Sequence, residues 1–93
     1  MDIIGIDISK AKFDVALLVG ERVRHAAFSN TEAGFEQCLS WFAKYRSDPT
    51  APLHVCMEAT GNWGLELADS LHSRGIRVSI VNPARVKAFG ESE

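Results

Sequence analysis

This 93-residue chain has no CxxC pair, no histidine cluster, no long apolar run and no positive excess, and each absence narrows its role. Cys38 and Cys56 lack the paired spacing of a zinc ribbon or a thioredoxin-like redox motif. Each lies in an apolar-patterned segment, which predicts two small core residues in a reducing compartment rather than a disulfide. His25, His54 and His72 are scattered without metal-ligand spacing. The N-terminus begins directly as a strand, with no cationic start of the kind that opens a secretory signal. No apolar run approaches a membrane span. A net charge of −2 does not advertise a free-standing nucleic-acid-binding module, but leaves room for a catalytic domain with basic surfaces elsewhere in a longer protein. There is no internal repeat or low-complexity tract. An apolar fraction of 46% with 24% charge suits one small globular domain, residues 1–93, or a piece of a larger one.

What is present begins with Ile3-Ile4-Gly5-Ile6-Asp7. Apolar residues at successive positions predict a strand covered on both faces, at the centre of a sheet. A carboxylate at its end is expensive to desolvate unless a cation, a donor or water meets it. Asp7 is therefore a candidate metal ligand, or else the opening of a turn. Phe13 to Leu18 alternates, with Phe13, Val15 and Leu17 on one face. Val19-Gly20-Glu21-Arg22 reads as a hairpin turn, and Val23 to Phe28 as the returning strand.

Ser29 and Glu32 have capping-box spacing, with Asn30 as the other cap candidate. Phe35, Cys38, Leu39, Phe42 and Ala43 form the inner stripe of a first helix, and Trp41 falls off it. The prolines of Asp48-Pro49-Thr50-Ala51-Pro52 end that helix. Leu53 to Met57 reads as a fourth, buried strand ending in a second carboxylate, Glu58. A second helix carries Leu67, Ala68 and Leu71 inward and stops at Gly75. Ile76 to Val81 is a fifth strand. Asn82-Pro83 then opens a third helix over Ala84 to Phe89.

The predicted order is β-β-β-α-β-α-β-α. A three-stranded meander followed by βαβα units is the layout of a ribonuclease-H-like domain with a mixed five-stranded sheet in three layers. Strand one then adjoins strand four, and Asp7 and Glu58 come side by side at the carboxyl edge, where ligands of open α/β sheets bind. Two such carboxylates repel each other unless a cation joins them. Mg²⁺ takes a few carboxylate oxygens and completes its shell with water or phosphate oxygen. Two such ions serve phosphodiester chemistry, one activating the attacking oxygen and the other stabilising the leaving oxygen.

Three motifs, Gly5-Ile6-Asp7-Ile8-Ser9-Lys10, Met57-Glu58-Ala59-Thr60-Gly61 and Val81-Asn82-Pro83-Ala84-Arg85-Val86-Lys87-Ala88-Phe89, occur in that order. With Asn30-Thr31 and Ala33-Gly34-Phe35, they resemble the N-terminal domain of the insertion-sequence 110, or DEDD, transposases over essentially the whole chain. The resemblance implies a resolvase-like ribonuclease-H fold with an Asp, Glu, Asp, Asp tetrad. Its first two acids map onto Asp7 and Glu58, as catalytic and metal-binding residues. It further implies Mg²⁺ or Mn²⁺, two ions in the complete domain, and DNA strand cleavage and transfer in bacterial cytoplasm. DNA, a structured RNA encoded by the element and a second copy of the protein are the implied partners. The family's last two acids follow the Asn-Pro-Ala-Arg segment in an Asp-x-x-Asp helix, which this sequence does not reach. Glu91 and Glu93 follow Gly90 and are not assigned to the site. A C-terminally truncated fragment, inactive alone, is the expectation.

Lys10, Lys12, Trp63, Arg85 and Lys87 are candidates for nucleic-acid contact, Trp63 by stacking and the cations by pairing with phosphate. Solvated turn lysines, a tryptophan lid over the second helix and isolated surface charges, Arg74 and Arg77 among them, are the plainer readings. Thr60 and Asn62 suit helix capping. Asp14, on strand two, is assigned a hydrogen bond to a neighbouring turn. Two other functions remain compatible with the pattern. An actin-like or sugar-kinase-like ATPase also begins with a Gly-Ile-Asp strand, but Ile8-Ser9-Lys10-Ala11 lacks the glycine that lets backbone amides approach phosphate. A non-catalytic interaction module is the third.

Overall fold

The computed structural model describes residues 2–48, 50–59 and 62–81. In order these are β1 (Asp2–Ile8), β2 (Lys12–Val19), β3 (Arg22–Ser29), α1 (Glu32–Tyr45), β4 (Leu53–Ala59), α2 (Leu65–Ser73) and β5 (Arg77–Val81). The third helix expected over Ala84 to Phe89 lies outside the described residues. The strands form one mixed sheet in the order β3-β2-β1-β4-β5. β1 pairs antiparallel with β2 and parallel with β4, so it is central and hydrogen-bonded on both edges. β3 closes one side antiparallel to β2, and β5 the other parallel to β4.

Local chemistry explains the joints. Gly20 takes φ +61 at the first of two central hairpin residues, a conformation glycine adopts without strain. At the end of α2, Gly75 (φ +76) donates to His72 O while Ile76 N–H reaches Leu71 O, the paired bonds of a Schellman cap. α1 is capped by Thr31, whose Oγ1 accepts from Gly34 N–H at 3.2 Å. The expected caps, Ser29 and Asn30, do other work. Ser29 Oγ bonds Thr31 Oγ1 at 2.8 Å, and Asn30 ties loops together. Gly34 sits where the helix presses on the end of β3, and a Cβ there would lie 1.8 Å from Ser29 O.

The core lies between the sheet and both helices. Ile4, Ile6, Ile8, Phe13, Val15, Leu17, Leu53, Val55 and Met57 meet Phe35, Cys38 and Phe42 of α1 and Leu67 and Leu71 of α2. Ala43, assigned to the inner stripe of α1, is exposed. Trp41 is half-buried at the margin instead, its ring 6.0 Å from Phe28 and 5.6 Å from Tyr45. Asp2 is buried at the start of β1, and its carboxylate accepts from Ser47 N–H (2.9 Å) and Ser47 Oγ (2.7 Å). Burial pushes its pKa up, but the bonds from Ser47 outweigh that, and the net shift is downward.

Two expectations need correction. β1 is not covered on both faces among the described residues. Its burial alternates, with Ile3 and Asp7 exposed between the buried Ile4, Ile6 and Ile8. Both described helices pack on the same face, so these residues form two layers rather than three. The opposite face carries Ile3, Leu18 and Val23, all substantially exposed. β4 alternates in the same way, and Cys56 is an exposed residue of the open face, not a core residue. Only Cys38 is in the core, where burial pushes its thiol up to about 12. Both thiols are free.

Two outcomes follow. Iodoacetamide labels Cys56 alone in the native chain, and mass spectrometry of the digest reads this; protection of Cys56 would mean that the open face is covered. Gly34→Ala destabilises by more than about 2 kcal/mol in urea titration, because backbone must shift to admit the methyl.

Candidate metal centre

Asp7 is the second-to-last residue of β1, and Glu58 stands at the corresponding place in β4. Parallel pairing makes them direct Cα partners, on strands about 4.8 Å apart. Registered partners point to the same face, here the open one, and both side chains are exposed. Antiparallel pairing with β2 also makes Asp14 the direct partner of Asp7. Asp14, Asp7 and Glu58 thus form a row of three acids across β2, β1 and β4.

The three are not equivalent. Lys12 Nζ lies 3.7 Å from Asp14 Oδ2, so Asp14 pairs with a cation on its own strand rather than with a neighbouring turn. Among the described residues neither Asp7 nor Glu58 has an ion-pair or side-chain hydrogen-bond partner. No three His, Cys, Asp or Glu of the described residues come together as metal ligands. Two exposed carboxylates offering hard oxygen donors fit a hydrated Mg²⁺ or Mn²⁺, which takes one or two carboxylates and leaves positions for water and phosphate. They do not make a closed, all-protein cage.

Three loops surround this end of the sheet, and one side chain joins them. The Nδ2 of Asn30, beyond β3, donates to Ser9 O (3.1 Å) and Lys10 O (3.4 Å) in the loop after β1, and to Trp63 O (3.0 Å) after β4. Asn30 N–H also bonds Ala11 O at 2.9 Å. Ser9 folds the first loop back, with its N–H and Oγ both on Lys12 O at 2.9 Å. Lys10 Nζ stands 5.8 Å from the centre of the Trp63 ring, which is 45% exposed. Lys10 and Trp63 therefore meet at the same end of the sheet as the carboxylates, while Lys12 is engaged with Asp14. Sequence reasoning offers Asn30 as a helix-cap candidate and as part of the Asn30-Thr31 family match, but not as a tie between loops. The signal available was three consecutive cap-capable residues, Ser29-Asn30-Thr31, of which a helix uses one.

Other candidates lie elsewhere. Arg74 is bound to Glu36 of α1 and to Ser70, which joins the two helices and removes it from a free basic edge. His54 Nε2 meets Ser79 Oγ at 2.8 Å between β4 and β5. Arg85 and Lys87, like Thr60, Gly61, Glu91 and Glu93, lie outside the described residues.

A mixed α/β sheet with carboxylates at the ends of neighbouring parallel strands is compatible with a ribonuclease-H-like domain. Residues 4–93 match the DEDD, insertion-sequence 110 family, described as transposase, and the chain belongs to that family. The pilin gene-inverting proteins of Moraxella bovis and Moraxella lacunata are each 35% identical to it over 89 residues, covering 96% of this chain and 27% of theirs. The chain thus spans about a quarter of the length of these curated relatives. Among solved structures, an exopolyphosphatase from Cytophaga hutchinsonii is similar at a TM-score of 0.47 and 16% identity, over 91% of this chain and 35% of that one.

Without metal, Asp7→Asn and Glu58→Gln each remove like-charge repulsion between direct strand neighbours. Each variant is expected to unfold at slightly higher denaturant, by up to about 1 kcal/mol. Added Mg²⁺ raises the melting temperature of the wild type more than that of either variant. Equal responses would remove both residues from the site.

Proposed function

We propose that this chain is part of the catalytic domain of a DNA transposase, resolvase-like within the ribonuclease-H fold, with Asp7 and Glu58 as the first two acids of its metal site. One observation carries this reading: two exposed carboxylates, without cationic partners among the described residues, are direct neighbours at the carboxyl ends of adjacent parallel strands. Family membership supports DNA as the substrate, and the curated relatives are named for inverting a pilin gene. Bacterial cytoplasm is the corresponding location.

When bound, the divalent metal, two ions in the complete domain, supplies activation of the attacking oxygen and stabilisation of the leaving oxygen at a phosphodiester. The chain's own contribution is placement. β1 and β4 hold Asp7 and Glu58 level with one another through backbone pairing, so neither needs a loop to find its position. Asp7 and Glu58 would offer carboxylate oxygens to a divalent cation that polarises water and the scissile phosphate. With two acids of four, residues 1–93 hold the cation weakly and do not cleave DNA by themselves. A second copy of the protein and the element's structured RNA complete the working assembly.

Paramagnetic broadening tests the assignment. Millimolar Mn²⁺ is expected to broaden the amide resonances of Asp7, Ile8 and Glu58 first, and Asp7→Asn to abolish the pattern. Broadening centred elsewhere, or unchanged in the variant, overturns it. Supercoiled DNA incubated with this chain and Mg²⁺ remains intact; nicking that survives Asp7→Asn would show that other residues do the chemistry.

A further inference from the structure

A cleft of about 420 Å³ opens at the same end of the sheet as the acids, lined by Lys10, Asn30, Asn62, Trp63 and Glu66. We propose that it receives one unpaired nucleobase of a nucleic-acid strand, stacked on Trp63. The proposal rests on the metal-site reading only in placing that strand's neighbouring phosphate at Asp7 and Glu58.

Location is the first argument. Lys10 follows β1 shortly after Asp7, and Asn62 and Trp63 follow β4 shortly after Glu58. The cleft and the carboxylates therefore share the same two strand ends, and the volume is within the range of small-ligand sites. Rigidity is the second. The Trp63 carbonyl and the Lys10 carbonyl are both held by the Asn30 amide, so the walls of the cleft come from different loops yet are fixed to one another. A tied wall loses little entropy when a ligand docks.

Chemistry is the third. A tryptophan 45% exposed in a polar cleft presents a ring face to solvent, and base–aromatic stacking needs such a face. Trp63 already attracts a cation, Lys10, to its ring. The lysine stem is flexible, so an arriving base takes its place on the ring while Nζ turns to a phosphate oxygen. Among the described residues the cleft is lined by one cation, Lys10, and one anion, Glu66. Its polarity suits a neutral heterocycle with a polar edge better than a bare phosphate, which Glu66 repels. The Glu66 carboxylate accepts from ring or exocyclic N–H groups, and the Asn62 amide both donates and accepts. A base inside a duplex hides its faces in the stack, so the site takes an unpaired one.

Fluorescence anisotropy with labelled single-stranded DNA and RNA of one sequence, at low salt and without metal, tests this on the whole chain. Trp63→Leu is expected to weaken binding on the order of 5- to 100-fold, while Trp63→Phe keeps most of the affinity. With the wild-type chain, an oligonucleotide made abasic along its length binds correspondingly more weakly, a comparison that needs no variant to fold. Tighter binding of one sugar type identifies which strand supplies the base. Equal affinity for abasic and intact strands, or a Trp63→Leu chain that is folded by circular dichroism and binds like wild type, overturns the proposal. In metal-free buffer the Trp63-dependent binding is read on its own, apart from any cation at Asp7 and Glu58. Loss of the Mn²⁺ pattern with retained stacking therefore refutes the metal assignment alone, and the reverse result refutes the base site alone.

Discussion

Pairing of β1 on both edges is the constraint from which the rest of the arrangement follows. Hydrogen bonds to β2 and β4 fix it in register on both sides, and the alternating Ile4, Ile6 and Ile8 anchor that register in the core. A slip of one residue would turn all three isoleucines to water and bring Asp7 into the core. The same hydrophobic pattern that stabilises the sheet therefore also specifies the row of acids. The position of Asp7 is a by-product of burying its neighbours.

Much of this layout was legible in the chain. The order of the five strands and the first two helices, the neighbouring of the first and fourth strands, Gly20 and Gly75 all rest on local chemistry with few alternatives. The pairing of Asp7 with Glu58 also followed, because a β-meander feeding βαβ units leaves few ways to place the fourth strand. What escaped depended on distant partners. Ile3 and Gly5 look alike in sequence whether a helix covers them or not, so the pattern does not reveal that the described helices cover one face only. Cys56 was misread for the same reason. Asp14 was seen, but its alignment with Asp7 is a matter of hairpin register, and its partner Lys12 of side-chain reach. Thr31 displaced Ser29 and Asn30 as the cap because Asn30 is taken by three carbonyls on other loops, which local capping statistics do not contain.

The two regions at the carboxyl edge are built by different means. The acids are set by backbone pairing within the sheet and need no side-chain support. Lys10 and Trp63 are set by one amide, Asn30, which reaches across loops far apart in sequence. A site placed partly by sheet register and partly by a polar bridge joins a rigid element to loops without burying either, and a chain of this length has little core to spare for other supports.

The row formed by Asp14, Asp7 and Glu58 also shapes how the molecule meets charged matter at a distance. Lys12 offsets Asp14 within this row, but Asp7 and Glu58 together still meet an approaching polyanion with local repulsion. That repulsion extends about a Debye length, roughly 8 Å at physiological ionic strength, and collapses when cations settle among the carboxylates. Divalent ions in the surrounding medium thus ease the approach of a polyanion to this edge.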